Sequence, residues 1–170
     1  MRLKVVWFSI LLLFLANTTF PQEPEWLKKM KQIKLLSDSY EDVVKILGEP
    51  VEDGIEKDTS EYFDFREGRM SVSFEPGNCG DGMIEGWKVP KYTVIEVNFF
   101  PDEWIDPKKL NVNFKGFTAK SIHEGREGIE YVNDELGIDY TVKEGKIQDI
   151  TFRPAKKYDY LRCKEEDVKQ

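Results

Sequence analysis

The spacing of apolar residues changes once along this chain, and that change limits the folds open to it. Between residues 25 and 47 hydrophobic side chains recur every three or four positions; from residue 61 onward they alternate. A 3.6-residue period describes helices with one covered face, and a period of two describes strands with one covered face. Helices first and strands afterwards, with no repeated strand–helix alternation, is the order of an α+β domain. The expectation is two short N-terminal helices packed on an antiparallel sheet of five to seven strands.

Trp26, Leu27, Met30, Ile33 and Leu36 form the stripe of a first helix over 25–36. The second is better marked. Ser39 suits an N-cap, Asp42 completes a variant capping box, and Val43, Ile46 and Leu47 make the apolar stripe. Gly48 is the stop and Pro50 prevents continuation, which predicts a helix over 40–47. Tyr62-Phe63-Asp64-Phe65 and Met70-Ser71-Val72-Ser73-Phe74 then flank Glu67-Gly68, a hairpin signal with Met70, Val72 and Phe74 inward. A strand over 92–100 puts Ile95, Val97 and Phe99 on one face, and a further strand is expected over 112–117. Strands over 129–132, 138–142 and 147–152 make a meander that turns at Asp134-Glu135-Leu136-Gly137 and Glu144-Gly145 and stops at Pro154.

Two internal echoes run through these strands. Arg66-Glu67-Gly68-Arg69-Met70 matches Lys143-Glu144-Gly145-Lys146-Ile147 at an offset of 77. Val94-x-Glu96-Val97-x-Phe99-x-Pro101 matches Ile147-x-Asp149-Ile150-x-Phe152-x-Pro154 at an offset of 53. No single repeat accounts for both, and generic hairpin chemistry explains them.

The N-terminus has a different character. Arg2 and Lys4 precede an uncharged apolar run of twelve residues over 5–16, then Asn17-Thr18-Thr19 and, after Gln22, dense charge. That order is a secretory signal pattern. Twelve residues fall short of the ~20 that a membrane-spanning helix needs. The expectation is a signal peptide over 1–22, cleaved between 16 and 22, followed by a single domain over 23–170 in the periplasm or outside the cell, with no membrane anchor left. No cysteine lies near the cleavage region to carry a lipid.

All 32 acidic residues lie beyond position 22, against 23 basic ones, so the mature chain carries a net charge of −9. Such a chain gains nothing from phosphate counterion release, which argues against nucleic acid and anionic membrane surfaces as partners. The two cysteines, Cys79 and Cys163, read in an exported protein as a disulfide tying the apolar tail (Tyr158, Tyr160, Leu161) to the body.

Residues that would carry a reaction are sparse. His123 is the only histidine; without a neighbouring nucleophile or orienting partner it reads as an exposed loop residue. One histidine is too few for a zinc site. The acidic groups Glu52-Asp53-Glu56-Asp58, Asp102-Glu103-Asp106 and Asp134-Glu135 match no calcium loop and read as solvated charge. No catalytic residue, metal or cofactor is expected. Aromatic area concentrates at Trp87, Tyr92, Phe99, Phe100 and Trp104. Trp104, between Glu103 and Asp106 in a Pro-bounded loop, is the first candidate for an exposed binding anchor and Trp87 the second.

Ser39-Tyr40-Glu41-Asp42-Val43-Val44-Lys45-Ile46-Leu47-Gly48-Glu49-Pro50, followed by a hairpin, resembles the opening of the small outer-membrane assembly family called SmpA/OmlA or BamE-like. Gly86-Trp87-Lys88-Val89-Pro90, Gly137-Ile138-Asp139-Tyr140 and Tyr160-Leu161-Arg162-Cys163 resemble a group of exported bacterial proteins of unknown function. The BamE-like resemblance implies helices on an antiparallel sheet and an envelope protein as partner. The reading is therefore an exported, non-catalytic binding or structural protein of the periplasm or envelope; the alternative is a small secreted hydrolase working through Asp and Glu carboxylates.

Overall fold

The structure, a computed structural model, describes residues 23–51, 60–77, 79, 86–122 and 128–164. The expected signal peptide, the Glu52-Asp53-Glu56-Asp58 group and His123 lie outside the described residues. Among the described residues two α-helices, α1 Glu25–Met30 and α2 Tyr40–Leu47, precede seven strands. These are β1 Ser60–Phe65, β2 Gly68–Phe74, β3 Val94–Pro101, β4 Thr118–Ile122, β5 Gly128–Asn133, β6 Ile138–Lys143 and β7 Lys146–Phe152. They make one antiparallel sheet in the order β1-β2-β3-β7-β6-β5-β4. One meander runs through β1, β2 and β3 and another through β4 to β7. The fold is α+β with its helices at the N-terminal end, as the change of period implies.

Helix α2 forms where its caps place it. The Ser39 hydroxyl accepts from the Asp42 N–H while the Asp42 carboxylate accepts from the Ser39 N–H. Gly48 then leaves the helix at φ 97°, a conformation that costs glycine little. Val43 is fully buried, and Ile46 and Leu47 pack against the core from the edge. Helix α1 is shorter than its apolar stripe. Trp26, Leu27, Met30 and Ile33 are buried as the spacing implies, yet the helix stops at Met30. The chain turns there because the next segment pairs with β3: the Leu36 N–H donates to the Val94 carbonyl and the Val94 N–H to the Asp38 carbonyl. Leu36 is left-handed at φ 60°, which ends any helical run.

One face of the sheet carries the core. Phe63, Met70, Val72, Phe74, Val97, Phe99, Ile147 and Ile150 are nearly inaccessible there. Trp26 lies flat on Phe99, with ring centroids 3.9 Å apart. The expected inward residue Ile95 is replaced by Val94. A β-bulge shifts the register between Ser73 and Phe74, so Phe74 pairs with Val94 and Ile95 is the extra residue. The strand expected over 112–117 does not form. A 3-10 turn Pro107–Leu110 comes first, then left-handed positions at Asn111 and Gly116 prevent an extended run. Phe114 and Phe117 instead pack on Tyr131 and Tyr140, Phe114 stacking on Tyr131 at 4.0 Å. The strand at this place is β4, one step later.

The offset of 53 turns out to be built into the sheet. Where β3 meets β7, Val97 pairs with Phe152, Asn98 with Thr151 and Phe99 with Ile150. Asn98 pairs with its own counterpart in the echo, and Val97 and Phe99 each pair with the counterpart of the other, so a local two-fold axis passes through the Asn98–Thr151 pair. The likeness extends outward. The β6–β7 bulge falls between Thr141 and Val142, where Val142 pairs with Ile147, the counterpart of the Phe74–Val94 pair. Generic hairpin chemistry does not place a bulge at the same step of both ladders. The offset of 77 has no such counterpart and remains a resemblance between turns.

Candidate functional site

Beyond β3 the chain is held at two points. The Asp102 N–H donates to the Glu67 carbonyl at 3.0 Å, and Ile105 exchanges both backbone hydrogen bonds with Ile147 at 3.0 and 2.8 Å. Asp106 then caps the 3-10 turn through the Lys108 N–H at 2.9 Å. Trp104 sits between these anchors on a fixed backbone. Its side chain is 41% exposed and has no ring contact or hydrogen bond among the described residues. Here the leading sequence candidate lies on an accessible surface.

The Trp104 side chain lines a cleft of ≈ 870 Å³ between the start of α1, the β1–β2 turn and the segment after β3. Its apolar lining includes Pro24, Trp26, Ile105 and Leu110. The rim carries Arg66 and Lys109 together with Glu67, Asp102 and Glu103, all exposed. Among the described residues these five charged side chains form no ion pair or side-chain hydrogen bond. The arrangement can offer an apolar wall, two groups of donors and three acceptor carboxylates to one molecule. Sequence reasoning offered Trp104 as a contact residue, but it read Asp102 and Glu103 as solvated charge and Arg66 and Glu67 as part of a hairpin turn, and it gave Lys109 no role. Their approach depends on the β1–β2 turn folding back beside the end of β3, which no local pattern records.

Trp87, the second expected surface residue, is not one. It is buried at 5% exposure, forms a backbone bridge with Arg162 and lies under that residue's guanidinium at 4.5 Å. The reason is the clasp it belongs to. Cys79 and Cys163 stand at disulfide distance, 2.00 Å between sulfurs and 5.4 Å between Cα atoms. The Lys88 N–H donates to the Leu161 carbonyl, and the Cys163 N–H to the Gly86 carbonyl. Together these pin the tail, including the 3-10 turn Lys156–Leu161, against the long connection between β2 and β3.

Glu75 lies at the base of the clasp and is only 1% exposed. Its Oε2 accepts from the Trp87 N–H at 2.9 Å, whereas Oε1 has no partner among the described residues. Burial pushes this carboxyl's pKa up, and the backbone N–H groups of Trp87 and Gly77 pull it back in part. Nothing in the sequence marks it: an acidic residue between a strand and Pro76 reads as loop charge. Its role on this geometry is to hold the connection's backbone.

A second cleft, of ≈ 350 Å³, lies where the β5–β6 turn meets the end of β7. Arg153 at its edge is already engaged, its guanidinium bonding Asp139 through two nitrogens and Asp134 at 2.6 Å. Those partners raise the Arg153 pKa, and Arg153 lowers that of Asp134. Among the described residues no three His, Cys, Asp or Glu side chains gather as a metal site, and no helix is long and apolar enough to cross a membrane.

No protein-family model matches this chain, and no curated protein matches it. Among solved structures it is similar to the crystal structure of a DUF4309 family protein (YjgB) from Bacillus subtilis subsp. subtilis str. 168. The TM-score is 0.45 at 13% identity, over 71% of this chain and 81% of that one. A likeness that remote carries no functional argument.

Proposed function

We propose that this chain is an exported, non-catalytic binding protein of the periplasm or cell envelope, and that the Trp104 cleft is its contact surface. The observation that carries the reading is Trp104: a large aromatic residue left 41% exposed on a doubly anchored backbone, among charges that have no partner among the described residues. Exposed aromatic anchors on rigid supports are where binding energy concentrates. Export is supported by the basic–apolar–polar order of residues 1–22 and by a cysteine pair at bonding distance, since disulfides persist in oxidising compartments. The BamE-like resemblance of residues 39–50 adds an envelope protein to the candidate partners. One observation favours the alternative, a small secreted hydrolase: Glu67, Asp102 and Glu103 share the cleft.

Fractionation and turnover test this reading. Protein from the envelope fraction should begin between Asn17 and Glu23; an intact Met1 would remove export from it. A broad hydrolase screen should find no turnover. Activity abolished by Asp102→Asn or Glu103→Gln would put the hydrolase in its place.

A further inference from the structure

We infer that the ligand of the Trp104 cleft is a neutral saccharide chain, with one sugar ring stacked on the indole and its hydroxyls bonded to the charged rim. The inference rests on the binding reading above and narrows it to a ligand class.

A pyranose ring has an apolar C–H face and an edge of hydroxyls. The exposed aromatic surface of Trp104 suits the first by contact. The hydroxyl edge needs donors and acceptors together, because each hydroxyl is both. Carboxylates only accept, and guanidinium and ammonium groups only donate. Glu67, Asp102 and Glu103 supply the one kind and Arg66 and Lys109 the other, none of them engaged elsewhere among the described residues. Bonds to such charged groups are the stronger kind. The ≈ 870 Å³ of the cleft lies in the range of small-ligand sites.

Other ligand classes fit less well. Two cations nearly cancel three carboxylates, so the cleft selects neither a polyanion nor a polycation. A peptide added as a strand would need free backbone groups. The Asp102 N–H and both backbone groups of Ile105 are already bonded, to Glu67 and Ile147.

The test is calorimetric titration, with tryptophan fluorescence as second readout, on protein purified from the envelope of cells expressing the full chain. Chitotetraose, cellotetraose and maltotetraose serve as probes. At least one should bind. Trp104→Ala should weaken it by about tenfold or more, and Arg66→Ala and Glu103→Gln by smaller factors. An unchanged circular dichroism spectrum shows that each variant is folded, and Trp104→Phe should keep part of the affinity through its smaller ring. No binding of any probe up to about 10 mM, or binding indifferent to Trp104→Ala, overturns the inference. Trp104-dependent binding of a peptide library with all three sugars silent also overturns it, while leaving the binding function intact. Cleavage of a bound tetrasaccharide would support the ligand class and overturn only the non-catalytic reading.

Discussion

The two halves of the sheet, β1-β2-β3 and β5-β6-β7, share one pairing plan and use their polar groups in opposite ways. Both have a bulge at the same ladder step and start their middle strand beside a glycine that passes under the end of the third strand. A Cβ on Gly68 would meet the Phe100 carbonyl at 2.3 Å, and one on Gly137 the Arg153 carbonyl at 2.1 Å. Phe100 and Arg153 are counterparts across the axis. In the C-terminal half the charges at this corner are spent on structure, with Arg153 holding Asp139 and Asp134. In the N-terminal half the equivalent corner leaves the side chains of Arg66, Glu67 and Asp102 around Trp104 without a partner among the described residues. One corner spends its charges on a brace and the other does not, so the N-terminal corner is the one whose charged groups are available to another molecule.

The halves also differ in cover, and the largest predicted effect tests that difference. Phe99 is fully buried between Trp26 and the sheet, while its counterpart Phe152 is only half-buried beside the second cleft. Phe99→Ala should cost about 3–5 kcal/mol in chemical denaturation, and Phe152→Ala no more than about half of that. Equal losses would mean that the helices add nothing to the N-terminal half beyond what the second half already has.

The connections between the second and third strands differ most. The C-terminal half uses the tight Glu144-Gly145 turn, whereas the N-terminal half inserts a long connection fastened to the tail through Cys79 and Cys163. Their separation of 84 residues makes the closed loop long. Reduction should lower stability by about 2–4 kcal/mol in the loop-entropy account. Protein alkylated on extraction and then denatured without reductant should show no free thiol. Two labelled cysteines would leave the clasp to its hydrogen bonds and the Arg162–Trp87 stack.

Glu75 gives that connection a pH dependence that the tight turn lacks. Its folded pKa is raised above the unfolded one, so its contribution is favourable at low pH and is lost as pH rises through the raised value. Glu75→Gln keeps an acceptor for the Trp87 N–H and cannot ionise. The variant should match the parent near the acid end of the stable range and exceed it in stability at pH 8. If the two unfold alike at both, the buried carboxyl is not strained by its charge.

Local signals and long-range geometry divide what could be read from the chain. Helix α2 and the hairpins were legible because caps, turns and alternation act within a few residues. The bulge that exchanges Ile95 for Val94 was not, because it depends on how two strands pair. Trp104 could be singled out by its charged, Pro-bounded setting, whereas Trp87 looked similar and is buried by a tail more than seventy residues away. Arg66 and Lys109 join the site only through the topology.

The smallest effects bear on the comparison most directly. A braced corner should lose stability when its brace is removed, and an unbraced one should not. Arg153→Ala strips the partner from Asp139, a carboxylate that is largely buried, so it should cost about 1–3 kcal/mol even after allowance for solvent screening. Arg66→Ala and Trp104→Ala remove exposed groups with no partner to strand among the described residues, and each should stay within about 0.5 kcal/mol. The same two substitutions are those expected to weaken ligand binding. Stability kept while affinity falls is the signature of a residue retained for contact rather than for folding. A loss at Arg66 as large as at Arg153 would show that the N-terminal corner is braced after all, and the case for a ligand there would go with it.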